Sequence, residues 1–500
     1  MKKKLLSLTV AAALAGVGTA QAVSVNPDGL GEVLIFPYYT VEGNQDTYIN
    51  LVNTTGNTKA VKVRFLEAMN SQEVLDFNLY LSPYDHWSAV ITRDADGEGA
   101  VIKTADTSCT VPNSLAAPSE GTLGPAIKFR DFEYEDDSVN GLARTREGYV
   151  EVIEMAELED SNTDADQNVE NAIEHSNGVP GDCSVLASAW ADANFLNGNN
   201  TGVTEVPPAG GLYGYGVLID VDGGTDATYD AVALDEFSDA AIHNRPGSNL
   251  PSLNQVSPAD GYIIDGNTVV PASFVQTSTP GANPVTIEKD VDAVSAVLMH
   301  NSIANDYVLE PGLNAGTDWV VTFPTKRYYV NEPNYLAPTD PNSDVAASLR
   351  PFTTGWDSGE SQACEEITIE YYDREEREVT TGLDFSPERS TAALSLCFEA
   401  NVVTFNNSNV LQGSARVSQN LNVLYNNGWA RIGLANDKNG TTIHTLENSE
   451  AAGGGAPAFS ANGLPTVGFA VQRYVNSDVG GLLSNYAGSV THKSTRDLNN

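Results

Sequence analysis

Ala60-Val61-Lys62-Val63-Arg64-Phe65-Leu66 alternates apolar and basic residues, the period-two pattern of a β-strand with one buried face. The alternation places Val61, Val63 and Phe65 on the core side and turns Lys62 and Arg64 toward solvent or a partner. Strand-like runs surround it: Gly31 to Tyr39, Thr47 to Val52, Val74 to Leu81 and Trp87 to Ile91. Turn residues such as Asn53-Thr54-Thr55-Gly56-Asn57 separate them at spacings of about ten residues, which predicts an immunoglobulin-like β-sandwich over residues 23–110.

Residues 111–285 read differently, as a mixed α/β insertion or second domain. Strands are expected at Gly148 to Glu154 and Gly211 to Asp220. Helices are expected at Ser184 to Leu196 and Asp230 to His243, where apolar residues recur at helical spacing. Polar loops fill 158–182 and 245–260. Residues 286–500 return to β, with strands expected at Val294 to Met299, Trp319 to Phe323, Ile367 to Tyr372, Ala392 to Phe405, Val423 to Tyr425, Trp429 to Leu434 and Val467 to Tyr474, and a loop at Gly453-Gly454-Gly455. The fold class is therefore mainly β, with sandwich regions flanking a mixed middle.

The run Val63-Arg64-Phe65-Leu66-Glu67, followed by Val74-Leu75-Asp76-Phe77-Asn78-Leu79-Tyr80-Leu81-Ser82-Pro83-Tyr84-Asp85, resembles the opening of a group of uncharacterised exported proteins of proteobacteria. The resemblance covers roughly residues 31–110. It implies export and, since no activity attaches to the group, no catalytic residue.

Export is also expected from residues 1–22. Lys2-Lys3-Lys4 precede an apolar stretch from Leu5 to about Gly18, and Thr19-Ala20-Gln21-Ala22 offers a cleavage site. The apolar run is too short to span a membrane, and nothing later resembles a span of about 20 apolar residues. A periplasmic, cell-surface or extracellular protein is expected, with no integral span in the mature chain. Cleavage before Val23 would remove three lysines and leave 23 basic residues against 66 acidic, a net charge of −43. Such a field excludes nucleic acid as a partner and repels anionic membranes. The bland reading is a solvated acidic surface; the sharper one is cation-dependent folding or assembly. With 41% hydrophobic and 18% charged residues, the chain is globular rather than disordered.

The four cysteines, Cys109, Cys183, Cys364 and Cys397, allow three disulfide connectivities. Sequential pairing is expected, because each pair then lies in its own half. There is no C-x-x-C, and the histidines lack ligand spacing, so a zinc site is not expected. Calcium is the one metal the sequence suggests. Asp220, Asp222 and Asp226 sit at positions 1, 3 and 7 of a glycine turn, a spacing that offers oxygen ligands to a hard cation. Asp160 to Asp166 and Asp94-Ala95-Asp96-Gly97-Glu98 are further acidic turns.

Catalytic motifs are poor. Gly359-Glu360-Ser361-Gln362-Ala363 is a near miss to a serine-hydrolase elbow, without the strand and helix that must flank it. A glycosidase needs two placed carboxylates, and 66 acidic residues give the sequence no power to choose them. Its tryptophans could stack on sugars, although strand tryptophans are usually core. The leading expectation is a non-enzymatic surface, binding or assembly protein with self-association or a cell-surface partner. The alternative is a secreted or periplasmic carbohydrate-active hydrolase.

Overall fold

A computed structural model describes residues 21–161, 168–197, 202–266, 268–274, 290–331, 349–375, 394–448 and 459–499. The expected signal segment up to residue 20 and the triple-glycine loop lie outside these. The described chain is mainly β, arranged as several sheets.

The expected N-terminal strands all form: β1 (Val33–Thr40), β2 (Gln45–Asn53), β3 (Thr58–Glu67), β4 (Glu73–Leu81) and β5 (His86–Arg93). They divide between an eight-stranded and a six-stranded sheet. Phe36, Leu51, Val63, Phe65 and Trp87 share the core between them. Strand β2 alternates buried and more exposed residues.

Strand β3 does not, and the expectation for Lys62 and Arg64 is corrected here. Every residue of Thr58–Glu67 is buried. The second face of its sheet is covered by the C-terminal half and by the segment around residues 244–256: Arg327 Nη1 donates to the Ser71 carbonyl, 2.5 Å away, and Asn78 Nδ2 to that of Asn244, 2.9 Å. Buried bases need buried acids, and they have them. Lys59 Nζ meets Glu154 at 2.7 Å and Glu157 at 2.6 Å. Arg64 meets Glu73 at 2.7 Å and Glu151 at 2.9 Å, and Lys62 contacts Asp76.

The middle segment is woven into the N-terminal sheets, so the boundary expected at residue 110 is crossed by pairing. Strand β6 (Glu147–Asp160) lies between β1 and β3. Strand β7 (Leu212–Asp220) pairs β2, and its hairpin partner β8 (Thr225–Asp230) forms the edge of the six-stranded sheet. Of the two expected helices, the first forms as α1 (Cys183–Ala191). The second does not: Val232–Asp235 is strand β9, paired to β1 with Val232 opposite Ile35 and Leu234 opposite Val33. A period-two register with an open sheet edge overrides the weak helical spacing there, and Glu236, at φ 57°, stands outside helical backbone.

In the C-terminal half, β10 (Ser302–Val308) and β11 (Ala315–Thr322) begin two five-stranded sheets. The first sheet adds β12 (Glu365–Asp373), and the second adds β13 (Ala400–Phe405) and β14 (Ser418–Leu421). Strand β15 (Asn427–Gly433) joins the first, while β16 (Val467–Val479) and β17 (Leu482–Thr491) complete the second. Tyr307, Trp319, Phe405 and Ile432 share one core. Strand β11 is buried on both faces, with Trp319 and Val321 in that core and Val320 in the N-terminal one.

Two strand expectations fail in this half. Val294 to Met299 lies mostly in helix α2 (Val291–Leu298), all of whose residues are buried. Its two polar residues, Asp292 and Ser295, are buried with the rest, so no exposed polar face gives a period that separates buried helix from buried strand. Val423 to Tyr425 is irregular chain just after β14. The cysteines pair as Cys109–Cys183 and Cys364–Cys397.

Candidate functional site

Strands β7 and β8 form one hairpin, β16 and β17 another, and the two tips lie side by side. Both turns carry a glycine pair. Gly224 has φ 62°, and Gly480 and Gly481 have φ 66° and 87°, backbone that residues with a Cβ avoid. Asp220 is buried and closes its own turn: Oδ1 accepts from Gly223 N–H at 2.8 Å. Its Oδ2 accepts from Gln412 Nε2 at 3.0 Å and from Arg473 Nη1 on β16 at 3.5 Å. Asn485 Nδ2 on β17 donates to the Gly223 carbonyl, 2.7 Å away, and Ser489 Oγ donates to that of Thr228. Asp220 thus ties the N-terminal hairpin to the C-terminal half.

Asp222 and Asp226 are exposed on the same hairpin, and the structure does not bring them to Asp220 as a ligand set. No group of three or more His, Cys, Asp or Glu side chains arranged to hold a metal occurs among the described residues. A guanidinium on Asp220 also opposes a cation there. The turn at Asp94 and Asp96 is occupied by Lys128 Nζ, at 3.3 and 2.8 Å. Of Asp160 to Asp166, only Asp160 and Ser161 lie within the described residues.

Beside Asp222 and Asp226, the tips present apolar side chains. Val221 is 60% exposed, Val479 58%, Leu482 71%, Leu483 60% and Tyr486 60%. Sequence reasoning missed this patch. Its signal was Val479-Gly480-Gly481-Leu482-Leu483, a glycine turn flanked by aliphatic residues where hairpin tips are usually polar.

Catalytic candidates fare worse. Ser361 is buried in a turn closed by Asp357 and Gln362, not on a strand-to-helix elbow. The nearest approach to a triad has Ser82 Oγ 2.7 Å from His175 Nδ1, with Asp85 Oδ2 3.6 Å from that same nitrogen. An orienting acid belongs on the opposite ring nitrogen, and Asp85 instead accepts from Ser82 N–H at 3.1 Å. Burial pushes the Glu32 and Glu399 carboxyls up to about 8 and those of Glu147 and Glu154 up to about 7. All four are buried in the interior, so they form no open acid pair. Trp87, Trp190 and Trp319 are buried. Trp429 is half exposed, but its ring stacks on Tyr372 at 4.6 Å with the Arg431 guanidinium 5.4 Å from its centre.

Compared with known protein families, curated proteins and solved structures, the chain matches none. No helix among the described residues is long and apolar enough to cross a membrane.

Proposed function

We propose that this is an exported, non-catalytic binding protein that makes its contact through the paired hairpin tips. One observation carries the reading: Val221, Val479, Leu482, Leu483 and Tyr486 stand exposed together on a chain of net charge −40. Contiguous apolar patches on soluble proteins mark contact surfaces. The acidic field discourages association elsewhere on the molecule, and at the tips the apolar side chains stand beside only Asp222 and Asp226 among the described exposed acids, so contact is least opposed there. Export is supported by the signal-like leader and by two disulfides, which persist in oxidising compartments. The immunoglobulin-like description extends only to facing sheets in each half, because eight- and six-stranded sheets exceed the seven to nine strands of such a domain.

The carbohydrate-active alternative needs two carboxylates about 5–10 Å apart facing a cleft. The acids most altered by their surroundings face the interior instead. The test compares wild type with Leu482→Glu/Leu483→Glu by sedimentation velocity over a range of concentrations and by fractionation of the cell envelope. Wild type should self-associate or co-fractionate with an envelope component, and the variant should do neither at an unchanged melting temperature. Identical behaviour of the two proteins in both assays would overturn the proposal.

A further inference from the structure

The charges buried on β3 differ in how they are held. Lys59 Nζ is shared by two glutamates, and elsewhere in the core Lys326 Nζ donates to the Ala363 carbonyl at 2.5 Å. Lys62 meets a single carboxylate. Its Nζ is in direct contact with Asp76 Oδ2 on the adjacent strand β4 and donates to the Ser248 carbonyl at 2.8 Å. The Lys62 side chain is 0% exposed and that of Asp76 16%. Gly247 N–H, at 3.1 Å, steadies the same Asp76 oxygen. Glu73, fixed by Arg64 Nε at 2.7 Å, places its negative charge near both groups.

We propose that Lys62 and Asp76 condense into an isopeptide amide, a covalent cross-link between β3 and β4. The reaction joins a neutral amine to a neutral carboxylic acid. The Nζ lone pair attacks Asp76 Cγ, and the new N–C bond forms as the carbonyl opens. The Cγ–O bond to the hydroxyl then breaks, and that hydroxyl leaves with one amine proton as water. No oxidant or other reactant is required.

Burial favours the reactive forms, because it holds the Lys62 ammonium below its ordinary range and the Asp76 carboxyl above its own. The fixed Glu73 carboxylate stabilises the positive charge that develops on Nζ during attack. Exclusion of water from a covered sheet face opposes hydrolysis. Condensation also removes one cation and one anion together. The remaining cluster of Arg64, Glu73 and Glu151 therefore keeps its net charge, and the penalty of a desolvated ion pair disappears.

The decisive measurement is the intact mass of the folded, purified protein after reduction of its disulfides. A mass lower than the sequence by one water is expected, with a branched peptide containing Lys62 and Asp76 after proteolysis. Asp76→Asn should form the same amide with loss of ammonia, while Lys62→Ala should show its full sequence mass. Should Lys62→Ala fail to fold, the wild-type digest alone decides. Linear Lys62 and Asp76 peptides at full mass from the wild type would overturn the proposal.

Discussion

Glu399→Gln should stabilise the protein in mildly alkaline solution. Glu399 is 1% exposed, and neither carboxylate oxygen has a well-formed hydrogen bond. Burial raises its pKa to about 8, against partial relief from Lys326 and Arg327. In the unfolded chain the carboxyl returns to its ordinary 4.5. Between those two values the folded state holds a proton that the unfolded state has released, so stability falls as pH rises from about 4.5 to about 8 and levels off above. At about 1.4 kcal/mol per pH unit, the gap sets a ceiling of about 5 kcal/mol. Water entry and local repacking absorb part of it, which leaves a gain on the order of 2–4 kcal/mol for the glutamine at pH 8.5. Near pH 4.5 and below, where Glu399 is protonated in both states, wild type and variant should coincide. Urea unfolding at pH 5, 7 and 8.5, with disulfides intact, reads the difference. A variant less stable than wild type at every pH would show that Glu399 is ionised and paired with Lys326, and the reasoning would fail. Glu32, Glu147 and Glu154 carry the same sign, so the variant keeps a residual decline toward alkaline pH.

Phe65→Ala should cost about 3–5 kcal/mol in the same unfolding assay, since it empties a site packed against Tyr39 and Phe129 at ring separations of 5.6 and 5.0 Å; a loss below about 1 kcal/mol would place that side chain outside the core. Thiol titration of denatured, unreduced protein should find no reactive sulfhydryl. Opening Cys364–Cys397 with a double serine variant should cost roughly 3–4 kcal/mol, from the loop entropy of its 33-residue separation.

Local signals carried the N-terminal strands well. The β-forming run Thr47 to Val52 and the turn chemistry at Asn53 to Asn57 are short-range properties, and strand and turn are met where expected. The sequential disulfides followed from proximity along the chain. Long-range pairing was not legible. Nothing within Glu147–Asp160 says that it will slot between β1 and β3, because its partners lie roughly a hundred residues earlier. The same limit produced both helix errors. Val291–Leu298 is buried on every side, Asp292 and Ser295 included, and Asp230 to His243 satisfies a helical template only until an open sheet edge is available to Val232 and Leu234. At the hairpin tips the aspartates were visible and the apolar residues were passed over. Acidic turns suggest ligands, whereas exposed leucines are recognised only once the fold shows that nothing covers them.

The misreading of Lys62 and Arg64 has a cause that reaches beyond this strand. Alternation reports that two faces differ in polarity, not that the polar face is wet. On β3 the difference is real: Val63 and Phe65 meet the apolar core shared with Phe36 and Trp87, while Arg64 meets Glu73 and Glu151. What the pattern lacks is the second layer, supplied by residues around 244–256 and 327–328. Complementary acids were the available clue. Glu73 and Asp76 follow on β4, and Glu151 sits opposite Arg64 on β6, so acids and bases meet across three neighbouring strands. A solvated face needs no such matching, because water screens each charge alone; a covered face requires it, since an unmatched charge there would cost several kcal/mol. In a chain with 66 acids and 26 bases, the bases are scarce. Several of them are spent in the interior, and much of the acidic excess therefore remains for the surface. On the binding role proposed above, that surface charge keeps the molecule apart from its neighbours and directs contact to the exposed Leu482 and Leu483.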